Sequence, residues 1–210
     1  MVLSNDDKGM LSKDFSVEEI KFVIHHLGGN IAPGSDGINY SFSKSYWKII
    51  QVDFINAINH FLFHGEMDKD WKDTLIVLIP KVSNPMLPSN YRPISLCNSI
   101  YMVAVKIILI RLIQVIPPLI SDEQAAFIKG RSISDHLLIA QELFRKLRFS
   151  KSSKGMVSYK IDMEQAYDSM SWSTLMKILD YFEFPPKFSK LILECVLNPR
   201  FSIIINGKLT

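Results

Sequence analysis

The chain has 210 residues, and its 24 lysines and arginines against 21 acidic residues give a formal net charge of +3. Apolar residues make up 48% of the sequence and charged residues 21%, which are ordinary values for globular proteins. This composition excludes a wholly disordered chain, a collagen-like chain and a highly basic tail protein, and its length allows one large domain or two small ones.

Two helices separated by a turn-rich loop are predicted at the start of the chain. Ser16 and Glu19 form a capping box that opens the first helix, and the Gly28-Gly29 pair ends it. The segment Ile31–Gly37 is rich in turn residues and predicts a loop. The second helix is predicted from one apolar stripe at helical spacing: Trp47, Ile50, Phe54, Ile58 and Phe61.

A strand and a long apolar helix are predicted next. The β-branched run Thr74–Ile79 predicts a buried strand, and the residues from Lys81 to Pro93 predict a polar, proline-rich loop. Residues 99–116 predict a helix, most of which lies in the apolar stretch Met102–Ile120. Charged and polar residues interrupt that stretch, so a buried helix is expected and no membrane contact.

The middle of the chain combines a helix with a basic segment. Ser121 and Gln124 resemble another capping box, and Gly130-Arg131 precedes a helix that carries Leu137, Phe144 and Leu147. Six cations and no acidic residue follow between Arg145 and Lys160. Such a run is able to follow a nucleic-acid backbone, but a solvated helix face with an exposed loop over residues 150–155 is equally consistent with it.

The last part of the chain predicts alternating strands and helices. Val157–Asp162 alternates apolar and polar residues and predicts a strand that ends at Asp162. Helices are expected over residues 171–181 and, after the Pro185-Pro186 pair, through Cys195. Phe201–Ile205 predicts a strand, and Asn206-Gly207 is a strong signal for a tight hairpin turn.

Only three residues follow that turn, fewer than an ordinary return strand needs. The mean hydropathy of +0.13 is also slightly high for a self-contained soluble protein. Both observations lead to the expectation that the sequence is cut from a longer fold or that its reading frame ended early.

The two cysteines, Cys97 and Cys195, lie far apart and neither belongs to a CxxC pair. Two reduced, buried thiols are therefore expected, which places the protein inside the cell in a reducing compartment, the cytoplasm or the nucleus. The N-terminus lacks the apolar segment of a secretory signal. His60 and His64 stand one helical turn apart but without a third ligand, which is a weak metal signal.

Several polar residues are candidates for chemistry, each beside a plainer interpretation. Asp162, at a strand end, suits a catalytic carboxylate or a solvated strand end, whereas Asp168 is typical of a helix N-terminus. Lys81 and Arg92 frame one loop and suit a triphosphate, because such cations neutralise phosphoryl oxygens. Two solvated loop cations are the more frequent outcome of that pattern.

Five motifs in a fixed order resemble the reverse transcriptase of non-LTR (LINE-type) retrotransposons. The resemblance runs from about residue 30 to the C-terminus, and the combination is specific although no single motif is. The motifs are Ala32-Pro-Gly-Ser-Asp-Gly37, Leu78-Ile-Pro-Lys81, Asn90-Tyr-Arg-Pro-Ile-Ser-Leu-Cys-Asn98, Ser121–Arg131, and Lys160-Ile-Asp-Met-Glu-Gln-Ala-Tyr-Asp168 with Trp172.

The resemblance implies an α+β right-hand polymerase that extends a DNA primer on an RNA template with two Mg²⁺ ions. Residues 1–155 would hold an N-terminal extension and the fingers, and residues 156–210 a partial palm. Asp162 and the Met163 carbonyl would bind metal, and Tyr167 would exclude a ribose 2′-hydroxyl. Lys81 and Arg92 would bind the incoming dNTP. Arg131, Lys151 and Lys154 would bind nucleic acid, and the Ala32–Gly37 loop would lie near the template or primer.

The sequence departs from the family pattern in ways that leave its activity open. The family's Ala-Asp-Asp hairpin and its Arg-Gln-Gly-Asp-Pro block are absent, so the palm is incomplete and polymerisation by this chain alone is not expected. A non-catalytic RNA- or DNA-binding module, an inert relic of a retroelement, and a group II intron-type enzyme are the alternatives. Local departures from the usual residues occur at Ile31, Ile110, Lys129, Gln165 and Ser169.

Overall fold

The computed structural model describes residues 2–28, 31–151, 157–159, 161 and 169–209. Within these residues the chain combines α-helices with a four-stranded sheet, which confirms the predicted α+β class. The helices are α1 (Asn5–Ser12), α2 (Val17–His26), α3 (Tyr40–Ser45), α4 (Trp47–His64), α5 (Ser99–Val115), α6 (Ile133–Phe149), α7 (Trp172–Tyr181) and α8 (Pro186–Val196). The strands are β1 (Asp73–Pro80), β2 (Tyr91–Cys97), β3 (Arg200–Ile205) and β4 (Lys208–Leu209).

The two N-terminal helices both begin at serine caps. The predicted capping box of α2 is confirmed, because the Ser16 hydroxyl accepts from the Glu19 amide while the Glu19 carboxylate accepts from the Ser16 amide. Helix α1 has no counterpart in the sequence analysis, because its eight residues carry little apolar periodicity. Ser4 caps it by accepting a hydrogen bond from the Asp7 amide.

Helix α5 runs through the core, as its apolar sequence predicts. It packs against α1, α2, α4 and α8, and its buried apolar side chains are Val103, Ala104, Ile107, Ile108 and Val115. Helices α2, α4, α7 and α8 contribute further members of the same apolar cluster, including Ile20, Ile58, Leu179 and Phe188. No helix among the described residues is both long and apolar enough to cross a membrane.

The sheet has the strand order β2-β1-β3-β4. Strand β1 pairs with β2 antiparallel and with β3 parallel, and β3 and β4 form the predicted hairpin. Asn206 and Gly207 both have positive φ angles (51° and 75°), as a two-residue hairpin turn requires. Strand β1 precedes residue 155 and β3 follows it, so one sheet joins chain segments on both sides of the predicted domain boundary. The boundary itself stays a prediction.

The predicted loop from Lys81 to Pro93 is too long, because strand β2 already begins at Tyr91. Pro93 stands opposite Leu78 in the ladder. A proline removes one backbone donor, and β2 tolerates this because it lies at the edge of the sheet. Strand β1 is also less buried than its sequence suggests, since Thr74 is buried whereas Leu78, Ile79 and Pro80 are exposed.

Two further predictions of local structure are wrong. Ser121 and Gln124 belong to a turn outside any helix, closed by a hydrogen bond from the Gln124 amide to the Ser121 carbonyl, and α6 begins only at Ile133. The described residues of the predicted Val157–Asp162 strand, 157–159 and 161, form no strand. A strand needs a neighbour for its backbone hydrogen bonds, and neither β2 nor β4 pairs with the described residues 157–159 and 161.

Candidate functional site

The loop end of the β1–β2 hairpin brings Lys81 and Arg92 onto one face. Ile79 stands directly opposite Arg92 in the ladder, and the Lys81 amide continues the pairing by donating to the Asn90 carbonyl at 2.8 Å. Side chains two residues apart on a strand share a face, and so do directly opposite residues. Lys81 and Arg92 therefore project from the same side of the hairpin, and both are exposed.

The loop between the two strands is organised around Asn90. Its side-chain oxygen accepts hydrogen bonds from the backbone amides of Met86 (3.1 Å) and Leu87 (2.9 Å). The Lys81 ammonium donates to the Ser89 carbonyl at 3.0 Å. These bonds fix the backbone on both sides of the turn, so the two cations stand on a defined surface.

A second junction forms around Asn98, between β2 and α5. Its side-chain oxygen accepts from the Ser35 hydroxyl at 3.0 Å and from the Asp36 amide at 3.2 Å, and its side-chain nitrogen donates to the Asp70 carbonyl at 2.8 Å. Asp36 in turn accepts from the Ser99 amide at 3.4 Å, close to the N-terminus of α5. The Ala32–Gly37 loop is thereby attached to the end of the strand that carries Arg92.

No role for Asn98 follows from the sequence, in which it is the last residue of the Asn90–Asn98 motif. Its position immediately before a predicted helix was the available signal, because asparagine is a preferred N-cap. The contacts go instead to a distant loop, which sequence spacing does not reveal.

Arg131 organises the loop in which it lies. Its guanidinium donates to four carbonyl oxygens, those of Pro117, Ile120, Ser121 and Gln124. Its ion pair with Asp122 is long, at 3.4 Å, and the arginine side chain is only 18% exposed. The proposed contact with nucleic acid remains a prediction, beside a structural role that these bonds establish.

The other predicted site residues fall at or beyond the limits of the described chain. Lys151 is exposed just after α6. Lys154, Asp162, Met163 and Tyr167 lie outside the described residues. Within the described part of the chain, no group of three or more histidine, cysteine or acidic side chains is placed to hold a metal ion.

Both cysteines are free thiols, as predicted for a reducing environment. Burial raises the pKa of Cys195 to about 12 and also raises that of Cys97, which donates or accepts a weak 3.7 Å hydrogen bond with Thr74. Because the thiolate is the reactive form, these raised pKa values lower the nucleophilic reactivity of both residues.

Comparison with known proteins identifies the family of this sequence. A profile of the reverse transcriptase (RNA-dependent DNA polymerase) family matches residues 79–209. A Xenopus laevis protein named transposon TX1 uncharacterized 149 kDa protein is 26% identical over 100% of this chain and 16% of its own length. The Pol polyprotein from the type-1 retrotransposable element R2 of Nasonia vitripennis is 23% identical over 90% of this chain and 18% of its own length.

A 115 kDa protein in the type-1 retrotransposable element R1DM of Drosophila melanogaster is 26% identical over 78% of this chain. The chain thus spans about a sixth of the length of the curated relatives that it matches. The relatives and the family match confirm the resemblance to non-LTR retrotransposon enzymes that the five motifs indicated. This sequence belongs to the reverse transcriptase (RNA-dependent DNA polymerase) family.

Proposed function

We propose that this chain is a fragment of a LINE-type, RNA-directed DNA polymerase and that Lys81 and Arg92 bind the triphosphate of the incoming dNTP. The observation that carries the proposal is the shared face of these two cations at the loop end of the β1–β2 hairpin. Phosphoryl transfer depends chiefly on positioning and on neutralising charge. Two exposed cations on a fixed turn supply both.

The two side chains suit different parts of this task. The Arg92 guanidinium is planar and donates in pairs to phosphoryl oxygens, whereas the Lys81 ammonium is a compact point charge. The hydrogen bond from Lys81 to the Ser89 carbonyl holds the ammonium near the turn before a ligand arrives. When a triphosphate binds, the Lys81 ammonium would donate to a charged phosphoryl oxygen instead of the neutral Ser89 carbonyl oxygen.

The complete enzyme would use an RNA template, a DNA primer, dNTPs and Mg²⁺. Asp162 and the Met163 carbonyl would bind the metal, whose charge stabilises the attacking and leaving oxygens. The acidic and carbonyl oxygens of these two residues are ligands that Mg²⁺ prefers. Tyr167 would exclude the ribose 2′-hydroxyl. The free thiols support an intracellular, reducing location, in the cytoplasm or nucleus.

Binding of dTTP with Mg²⁺, measured by isothermal titration calorimetry, tests the role of the two cations. We expect Lys81→Ala and Arg92→Ala each to weaken binding about tenfold, because one charge-assisted hydrogen bond is worth roughly 1.5–3 kcal/mol. Lys208→Ala, an exposed cation on strand β4, is the matched control and should bind as the wild type does. Equal affinity for all four proteins, or no dTTP binding by the folded chain, would contradict the proposal.

A primer-extension assay tests whether the fragment polymerises. With Mg²⁺, dNTPs and a DNA primer on an RNA template, the 210-residue chain should give no extension, since its sequence lacks the Ala-Asp-Asp carboxylates. Extension that Asp162→Asn abolishes would show that the other carboxylates are dispensable.

A further inference from the structure

The C-terminal end of α6 is an exposed basic surface. No residue of α6 is fully buried, and most of its side chains are exposed to solvent. The sequence between Leu143 and Lys151 contains no acidic residue. The cations of this surface, called here the α6 basic end, are Arg145, Lys146, Arg148 and Lys151.

An aromatic ring stands among these cations. Phe149 is the last residue of α6, and it is 70% exposed. The Arg148 guanidinium lies 5.7 Å from the centre of the Phe149 ring. A shallow, open cleft beside the ring is lined by Glu142, Arg145, Lys146, Phe149 and Ser150.

We propose that the α6 basic end binds single-stranded nucleic acid, with Phe149 stacked on one base and the cations on the flanking phosphates. An exposed ring offers a base a flat apolar face, and this contact is sequence-tolerant because every base has a π-face. In a duplex the base faces are covered by their neighbours, so the ring selects unpaired strands. The surrounding cations neutralise the backbone on both sides of the stacked base.

Glu142 limits the path that a bound nucleic-acid strand takes across this surface. It forms an ion pair with Arg145 at 3.2 Å on the cleft wall, so this wall carries less net positive charge. Lys146 and Arg148 stand nearer the ring in sequence, and Lys151 follows it. The phosphates therefore lie toward Lys146, Arg148 and Lys151. This inference goes beyond the dNTP-binding role of Lys81 and Arg92 and does not depend on it.

Fluorescence anisotropy with a labelled twelve-nucleotide uridine RNA tests the stacking. Stacking one base on an aromatic side chain is worth about 1–3 kcal/mol, so Phe149→Ala should weaken binding roughly tenfold or more. Phe149→Tyr keeps an aromatic face and should bind like the wild type. Because Phe149 is exposed, both variants should keep the wild-type far-UV circular dichroism spectrum.

The salt dependence of the same binding tests the cations. Changing Lys146, Arg148 and Lys151 together to Gln should lower the slope of log K against log salt by about 2, since each contact on a single strand contributes about 0.7. The control changes three exposed lysines on other helices, Lys21, Lys48 and Lys177, to Gln. That control protein should keep the wild-type slope.

Three outcomes would overturn the proposal. One is an equal loss of slope in both triple variants, which would indicate diffuse attraction by net charge. Another is unchanged RNA affinity after Phe149→Ala. The third is binding to vesicles rich in phosphatidylserine without binding to RNA, which would assign this amphipathic helix to a membrane surface. Each is separate from the dTTP titration, so failure here leaves the role of Lys81 and Arg92 standing.

Discussion

A Cβ atom added to Gly34 would lie 2.5 Å from the backbone nitrogen of Asn98. It would come equally close to the Asn98 side-chain oxygen and to the Cys97 carbonyl carbon. The Ala32–Gly37 loop thus touches the start of α5 backbone to backbone, and only glycine permits this approach. Two motifs far apart in the sequence are joined at this contact.

Gly34→Ala should destabilise the protein by about 1–3 kcal/mol, because the backbone atoms around the new methyl group have to move apart. Gly9→Ala is the matched control, since a Cβ there meets nothing within 4 Å and Gly9 lies inside α1. We expect this control to stabilise the protein by up to about 1 kcal/mol. Urea denaturation followed by circular dichroism measures both, and equal stability of the two variants would contradict the close approach.

The ion pair between buried Arg111 and half-buried Glu19 predicts a specific response to acid. Burial raises the pKa of Glu19, but hydrogen bonds from Arg111 and from Ser16 outweigh this effect, and the net pKa is lowered below its ordinary 4.5. A carboxylate whose pKa is lowered by folding stabilises the protein at pH values above its ordinary pKa. This stabilisation is lost as the pH falls through the pKa of the folded state. The stability gap between wild type and Glu19→Gln should therefore shrink as the pH falls from 6 to below 4. A gap that is constant with pH would contradict an ionised Glu19.

Lys72 and Glu194 predict an asymmetry between two substitutions. The Lys72 ammonium is only 7% exposed and donates to the Glu194 carboxylate at 2.6 Å. Glu194→Ala leaves a buried ammonium without its counter-charge and should cost about 3–5 kcal/mol. Lys72→Met removes the charge itself and should cost less. Chemical denaturation compares the two, and a larger cost for Lys72→Met would contradict this account.

Arg131→Ala should loosen the loop that follows α5. The four carbonyls that accept from Arg131 would lose their partner, so backbone amides over residues 117–131 should exchange hydrogen faster. Hydrogen exchange with mass spectrometry measures this, with α8 as the internal reference. Unchanged exchange in this loop together with weaker RNA binding would mean that Arg131 acts on nucleic acid rather than on the loop.

The sequence predicts only part of the candidate site. Lys81 and Arg92 were chosen for their charge around one loop, and they do come together on one face. The strand that carries Arg92 was nevertheless predicted to be loop, because Pro93 is typical of loops and only the edge position of β2 makes it tolerable. Asp162 and Tyr167 were chosen through the resemblance, and their roles stay predictions.

The sequence by itself determined the features that depend on neighbouring residues. The α2 capping box, the apolar helix α5 and the Asn206-Gly207 turn all follow from short-range spacing and backbone preference. Tertiary structure alone decided the attachment of the Ala32–Gly37 loop to Asn98, the parallel pairing of β1 with β3, and the capture of the Arg131 guanidinium by its own loop. These contacts join residues that chain folding brings together, so no local pattern encodes them.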